Sequence, residues 1–453
     1  MTQPSRSQYS NGYATFRVDF FMRKLLSVWL ISCLGLAVCA STRAQEKSVA
    51  NTQRIEQRIM DLSRFGKDSL GRGYRVAFTK GDIEARAWFI GLMKDAGLQV
   101  RVDEAGNIIG RREGTMPGLK PIAFGSHIDM VPDGGNYDGC VGSIGGLEVM
   151  ELLKSKGMTT RHPLELIIFS NEEGGTIGSM AMAGNLAAAG LTQISQSGMT
   201  MAEGIRAIGG DPGQLDKAVR KKGDLTAYLE LHIEQGGILE QEKLQIGVVE
   251  GIVGIVHWEV TVEGFANHAG TTPMDMRKDA LLAASKLVVA VNEVVTGVDG
   301  RQVGTIGKIS VQPGAYNVIP GKVTMGLEIR DLSYEKIGLL FKDIEKRAAS
   351  IAAASGVQIR FRRDPNESKP AMADKTMQSL IMQAAKNLGY SHRFMPSGAG
   401  HDAQEIAHIA PVAMIFIPSI GGISHSPKEF STPADMARGV EVLWQTIIAM
   451  DRR

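Results

Sequence analysis

Two short apolar runs in the first half of the chain each end in a polar loop. Residues 121–125 (Pro-Ile-Ala-Phe-Gly) deliver Ser126-His127-Ile128-Asp129, and residues 164–170 deliver Asn171-Glu172-Glu173-Gly174. Between them, residues 142–156 have helical character. Short apolar strands alternating with helices predict a mostly parallel sheet, with function at the strand C-termini. The preceding stretch agrees. Ile55, Ile59, Leu62 and Phe65 recur at helical spacing, a second helix is expected over 81–97 with Gly97 as its stop, and 98–102 reads as a strand.

The pattern changes near residue 250. Strands are expected over 256–262, 303–311, 318–329 and 357–362, with helices over 279–295 and 334–354. That order, β-α-β-β-α-β, is the split βαβ arrangement of a small two-layer sandwich. Asp364-Pro365-Asn366 closes it, and the α/β pattern resumes with a helix over 375–388, a strand over 412–417 and a final helix from Pro433. At 453 residues the chain is too long for one ordinary core. The expected architecture is α/β: a larger domain with a mostly parallel sheet and helices on both faces, built from 45–250 and 366–453. A ferredoxin-like small domain is inserted at 251–365.

Residues 1–44 stand apart. Met22-Arg23-Lys24 gives a positive head, 25–38 an apolar run short for a membrane span, and the small residues up to Ala44 a cleavage site. This reads as a secretory signal, with a periplasmic or secreted mature chain that keeps no stable membrane insertion; a buried N-terminal helix or an uncleaved anchor is the alternative. Residues 1–44 carry five basic residues and one acid, so their removal takes the net charge from +2 to −2. Neither form has a basic block, which argues against a nucleic-acid partner. Cys33 and Cys39 fall in the signal, so Cys140 alone remains and no disulfide framework is possible.

Several groups of residues are suited to chemistry. His127 with Asp138 supplies the imidazole and carboxylate that divalent ions favour, and Asp129 is placed to orient the histidine. A polar turn with an incidental histidine is the plainer reading. Adjacent carboxylates at Glu172 and Glu173 repel unless a cation is near; with one, one Glu ligates and the other acts as base. Four further histidines sit in unusual settings: His232 in Glu230-Leu-His-Ile-Glu-Gln-Gly236, His268 in a Gly- and Thr-rich loop, His401 in Gly-Ala-Gly-His-Asp, and His425 in Ser-His-Ser-Pro.

Taken in order, the series Gly125-Ser-His-Ile-Asp129, Asp138-Gly139, Asn171-Glu-Glu-Gly174, Glu230-Leu-His-Ile-Glu-Gln-Gly236, His268-Ala-Gly-Thr-Thr-Pro273 and Ser424-His-Ser-Pro427 resembles one family. It is the dinuclear metallohydrolase family of aminoacylases and dipeptidases, in its hydantoinase/carbamoylase amidase branch. The resemblance spans residue 51 to the end. It implies two divalent ions per subunit, zinc or manganese, with cobalt or nickel as further options. Asp138 would bridge them, His127 and His232 would complete one ion's ligands, and Glu173 with His425 the other's. Glu172 would be the general base, with His268 stabilising an oxyanion from the small domain, often that of the partner subunit. Gln235, Asn317 and Arg330 match substrate-holding positions, and His401 would shape the pocket. Arg330 suits a carboxylate, or else pairs with a neighbouring acid such as Asp331; Asn317 is otherwise a turn residue. Thr176-Ile177 stands where the branch has Arg-Phe, and Glu328 where it has Asp.

The expected function is hydrolysis of a linear amide or ureido C–N bond in a small carboxylate-bearing substrate by a homodimer. N-carbamoyl or N-acyl L-amino acids and allantoate-like ureides lead. A dipeptidase or aminoacylase, or a non-catalytic binding protein of the same fold, are the alternatives.

Overall fold

The computed structural model describes residues 49–453 except 366. The signal-like segment and two of the three cysteines lie outside the described residues. Cys140 is buried and free, and among the described residues no helix is long and apolar enough to cross a membrane.

The larger sheet contains nine strands: β1 (Gln99–Val102), β2 (Ile108–Arg112), β3 (Ile122–His127), β4 (Leu164–Phe169), β5 (Ala227–Ile233), β6 (Ile246–Ile252), β11 (Ala371–Met372), β12 (His392–Ser397) and β13 (Val412–Ile417). The smaller holds β7 (Gly254–Glu263), β8 (Val303–Gln312), β9 (Lys322–Asp331) and β10 (Gln358–Arg363).

The large sheet runs β1-β2-β4-β3-β5-β13-β6-β11, with β12 also on β6. Its centre, β4-β3-β5-β13, is parallel throughout. These four strands are buried at every position, which is why apolar residues dominate them without alternating with exposed polar ones. Side chains alternate between two cores. Ile122, Phe124, Leu166, Leu229, Leu231 and Ile415 pack on long helices such as Cys140–Ser155 and Pro433–Asp451. Ala123, Ile167, Phe169, Tyr228, Met414 and Phe416 pack on short ones, including Ile177–Met182 and Asp402–Ile406. The sheet is therefore covered on both faces.

The small sheet is antiparallel, in the order β10-β7-β9-β8. β7 and β8 flank β9, so the helix Ala280–Thr296 makes the split crossover. Alternate β7 residues Val256, Trp258, Val260 and Val262 are buried against that helix and against Tyr334–Ser355. Trp258 stacks on Phe341 at 4.2 Å. Asp279 caps the first helix by accepting from Leu281 N and Leu282 N, and Gly356 ends the second in a left-handed turn.

The strand expected from 318 begins at Lys322 instead. Pro320 has no N–H for a ladder. Residues 317–319 bond a neighbouring loop: Asn317 O accepts from Ala269 N at 2.9 Å, and Ile319 N donates to Asn267 O at 2.8 Å.

Candidate active site

The loops leaving β3, β4, β5 and β13 converge at the C-terminal edge of the parallel strands. Among the described residues three groups of possible metal ligands form: Glu230, His232 and His401, and two that share Asp138, namely His127, Asp138 and His232, and Asp138, Glu173 and His425. Within each, the ligand atoms lie within 4.8 Å of one another. His232 Nε2 lies 3.0 Å and His127 Nε2 3.8 Å from Asp138 Oδ1. On the other oxygen, His425 Nε2 lies 3.2 Å away, and 3.5 Å from Glu173.

Backbone carbonyls fix how two of these rings point. His127 Nδ1 lies 3.1 Å from Asp129 O, and His232 Nδ1 lies 2.9 Å from Ile233 O. A carbonyl only accepts, so each Nδ1 carries hydrogen and each ring turns its Nε2 inward, where it can ligate once it carries no proton. Gly139 makes room for this. It sits at φ 62°, and a Cβ there would lie 2.3 Å from the His127 ring. Asn171, Gln235 and His425 also adopt positive φ without being glycine, placing backbone strain at the site's own loops.

The charges are strongly perturbed. Burial opposes ionisation of Asp138, but His232, His425 and His127 outweigh it and hold the carboxyl well below its usual range. Burial, with Asp402, Glu173 and Asp138 beside it, pushes Glu172 well up. Burial and then Asp138 raise Glu173 to about 7. His425 rises to about 9 through its bond to Asp138. Three carboxylates and three imidazoles therefore share protons in a small buried volume. A divalent cation in each group that shares Asp138 would satisfy these lone pairs without those protons, so the donor set fits the metal chemistry expected of it.

Asp129 acts differently from the expectation. Its carboxylate stands 3.6 Å from His127 Nδ1 and instead accepts from Glu172 N at 3.3 Å and Glu173 N at 3.1 Å. It holds the Glu pair by its backbone, while its carbonyl orients His127. Glu172 reaches to 3.7 Å from His127 Nε2. Gln235 donates to Asp138 at 2.7 Å, and its buried Oε1 has no partner. His401 packs its ring 4.5 Å from that of His232 and bonds Ser397 Oγ at 2.8 Å; burial and then His232 hold it neutral.

His268 and Asn317 lie together at one end of the small domain, both exposed, with an isolated bridge joining His268 to Val318. Among the described contacts, none links either to the ligand groups. Arg330 pairs with Glu328 rather than with Asp331.

Two residues escaped the sequence reading. Glu429 clamps two loops: Oε1 accepts from Tyr137 N and Asp138 N at 2.8 and 3.0 Å, and Oε2 from Ser424 Oγ and His425 N at 2.9 and 3.3 Å. Glu230 is fully buried and accepts from Ser126 Oγ at 2.7 Å and Ala403 N at 3.0 Å. Its place two residues before His232 was the only available signal.

A mostly parallel α/β sheet carrying a shared-carboxylate ligand cluster at its strand ends, with a split-βαβ insertion, defines a metallohydrolase architecture. The chain belongs to the peptidase family M20/M25/M40, which it matches over residues 123–449. That makes it a hydrolase of carbon–nitrogen bonds in a metal-dependent family. An N-carbamoyl-L-amino acid amidohydrolase of Geobacillus stearothermophilus is 41% identical over 400 residues, 87% of this chain and 97% of the relative. A ureidoglycolate hydrolase of Arabidopsis thaliana is 38% identical over 87% of this chain and 85% of its own. A crystal structure of an amidase of the hydantoinase/carbamoylase family from Burkholderia multivorans superposes with TM-score 0.83 at 35% identity, covering 89% of this chain and 98% of that one.

Proposed function

We propose that the protein is a two-metal amidohydrolase that cleaves a linear ureido or amide C–N bond beside a carboxylate. N-carbamoyl and N-acyl L-amino acids and allantoate-like ureides are the substrate class. The observation that carries this is Asp138, shared by two ligand groups with a buried Glu172 alongside. The activities named for the relatives support the ureido class.

His127, Asp138 and His232 would hold one ion, and Asp138, Glu173 and His425 the other, with zinc, manganese, cobalt or nickel all suited to the donors. When bound, such a pair supplies Lewis acidity that polarises the scissile carbonyl and acidifies a water. Glu172 takes that water's proton and passes it to the departing nitrogen. Its burial raises its proton affinity above that of an ordinary carboxylate, the direction a proton carrier needs. Gln235 Oε1, lacking a donor, accepts from a ureido N–H.

His268 Nδ1 accepts from Gly270 N at 3.0 Å and Thr271 N at 3.2 Å. Its proton is therefore on Nε2, ready to donate to a developing oxyanion. Arg330 holds the substrate carboxylate, whereas Asn317, beside His268 beyond the far end of β9, would reach a substrate only in another subunit's site. Pairing of small domains into a homodimer is supported by exposed Leu282, Val288 and Val289 on the helix Ala280–Thr296 and by exposed Val303 and Ile309 on edge strand β8. Residues 1–44 direct export to the periplasm, on the strength of their charge and apolar pattern.

The test is a panel with protein lacking residues 1–44, reconstituted with manganese or zinc: N-carbamoyl amino acids, allantoate, β-ureidopropionate, N-acetyl amino acids and dipeptides. Ammonia release from a ureido compound is expected. Turnover of dipeptides or N-acetyl amino acids alone would move the substrate class to the dipeptidase and aminoacylase side.

A further inference from the structure

Arg330 and Glu328 lie two residues apart on one face of β9, and His257 of β7 stands directly opposite Glu328 in the register. Glu328 joins all three. Its Oε1 accepts from Arg330 Nε at 2.7 Å and its Oε2 from Nη2 at 3.0 Å. His257 Nε2 lies 2.7 Å from the same Oε2. The third arginine nitrogen leaves the sheet: Nη1 donates to Gly398 O at 2.7 Å. That carbonyl lies in the loop after β12, where Ser397 bonds His401, and His401 packs on His232. One guanidinium thus bonds both the small sheet and the loop behind the ligand cluster.

Arginine has five N–H groups in a rigid fork. Three are engaged. Glu328 covers the edge formed by Nε and Nη2, which leaves one N–H on each terminal nitrogen.

We infer that Glu328 is a positioning residue for substrate recognition: with His257 behind it, it locks the Arg330 guanidinium so that the two remaining N–H groups grip the substrate carboxylate. This rests on the reading of Arg330 as the carboxylate-holding residue. An unrestrained arginine has many rotamers, and ordering it when substrate arrives weakens binding. A bidentate carboxylate settles its plane beforehand. Burial works against charge on Glu328, yet its bonds to Arg330 and His257 keep it below the usual carboxylate range. It therefore remains a charged acceptor rather than a competing acid. The position is also a point of difference, since the branch that this chain resembles has the shorter aspartate there.

The experiment uses whichever carboxylate substrate the panel finds active, together with its carboxamide, and follows KM and kcat for wild type and variants. Glu328→Gln is expected to raise KM for the carboxylate about tenfold with a smaller loss in kcat, lowering the preference for carboxylate over carboxamide by about the same factor. Glu328→Asp, which keeps the charge, should recover most of that preference. His257→Gln provides a milder perturbation, with an expected rise in KM of about threefold. Arg330→Ala should remove the preference altogether. If Glu328→Gln lowers KM, Glu328 competes with substrate and the inference is overturned. It is equally overturned if Glu328→Gln and His257→Gln keep the wild-type preference while Arg330→Ala loses it. Arg330→Ala that keeps the preference would overturn the role of Arg330 itself, and the inference with it.

Discussion

Glu429 makes four hydrogen bonds across two loops and so sets the distance between Asp138 and His425. A glutamine can replace only one of its acceptor oxygens. Glu429→Gln should weaken metal binding by about 10- to 100-fold, the usual cost of losing a residue that orients ligands, as read by equilibrium dialysis. Proton linkage gives a second prediction. Glu173 holds a proton up to about pH 7 and His425 up to about pH 9. Both must lose it to ligate. Metal affinity should therefore rise with pH from 6 to 9, and titration calorimetry in buffers of different ionisation enthalpy should record proton release within that window. PH-independent affinity would contradict it. The residues of the two groups that share Asp138 were legible in the sequence as polar clusters, joined into one set only by the family resemblance. Glu429 was not, since four residues past His425 it has no pattern, and its purpose exists only once the loop at 135–138 folds against it.

At the level of elements, the parallel strands β3, β4 and β13 were legible from their short apolar runs, and the split βαβ order from its alternation. β2, β6, β11 and β12 were missed. β12 reads His-Arg-Phe-Met-Pro-Ser, too polar to announce a strand, and is held in register by its parallel pairing with β6. Tertiary pairing overrides weak local preference here. The start of β9 was misplaced because the apolar residues Val318 and Ile319 serve a loop contact instead. Close packing between strands is equally invisible in sequence. Gly125 on β3 sits at φ 152°, and a Cβ there would lie 1.8 Å from Ile167 O of β4. Gly125→Ala should destabilise the fold by about 3 kcal/mol, measured as a lower urea midpoint with unchanged slope. A neutral result would mean that the two strands separate more easily than their register implies.

On the scale of the whole molecule, the candidate site residues are divided between the two domains. The large sheet carries the ligand cluster and Glu172, whereas the small domain carries Arg330, Asn317 and His268. Arg330 reaches the large domain through Gly398, but His268 has no described contact with the cluster and lies exposed. A second subunit or domain closure is what would bring it in. Sedimentation of protein lacking residues 1–44 should accordingly give a dimer, and Val289→Asp with Ile309→Asp should yield monomers of sharply reduced turnover. Active monomers would show that each chain completes its own site. The most direct test of the two-metal hydrolysis is ammonia release by metal-loaded Glu172→Gln, with bound metal counted in the same sample. The expected result is a fall in turnover of about 10²- to 10⁴-fold with two ions per chain still bound. Turnover within a few-fold of wild type would contradict Glu172 as the base, and a cluster that binds no divalent ion would contradict the mechanism as a whole.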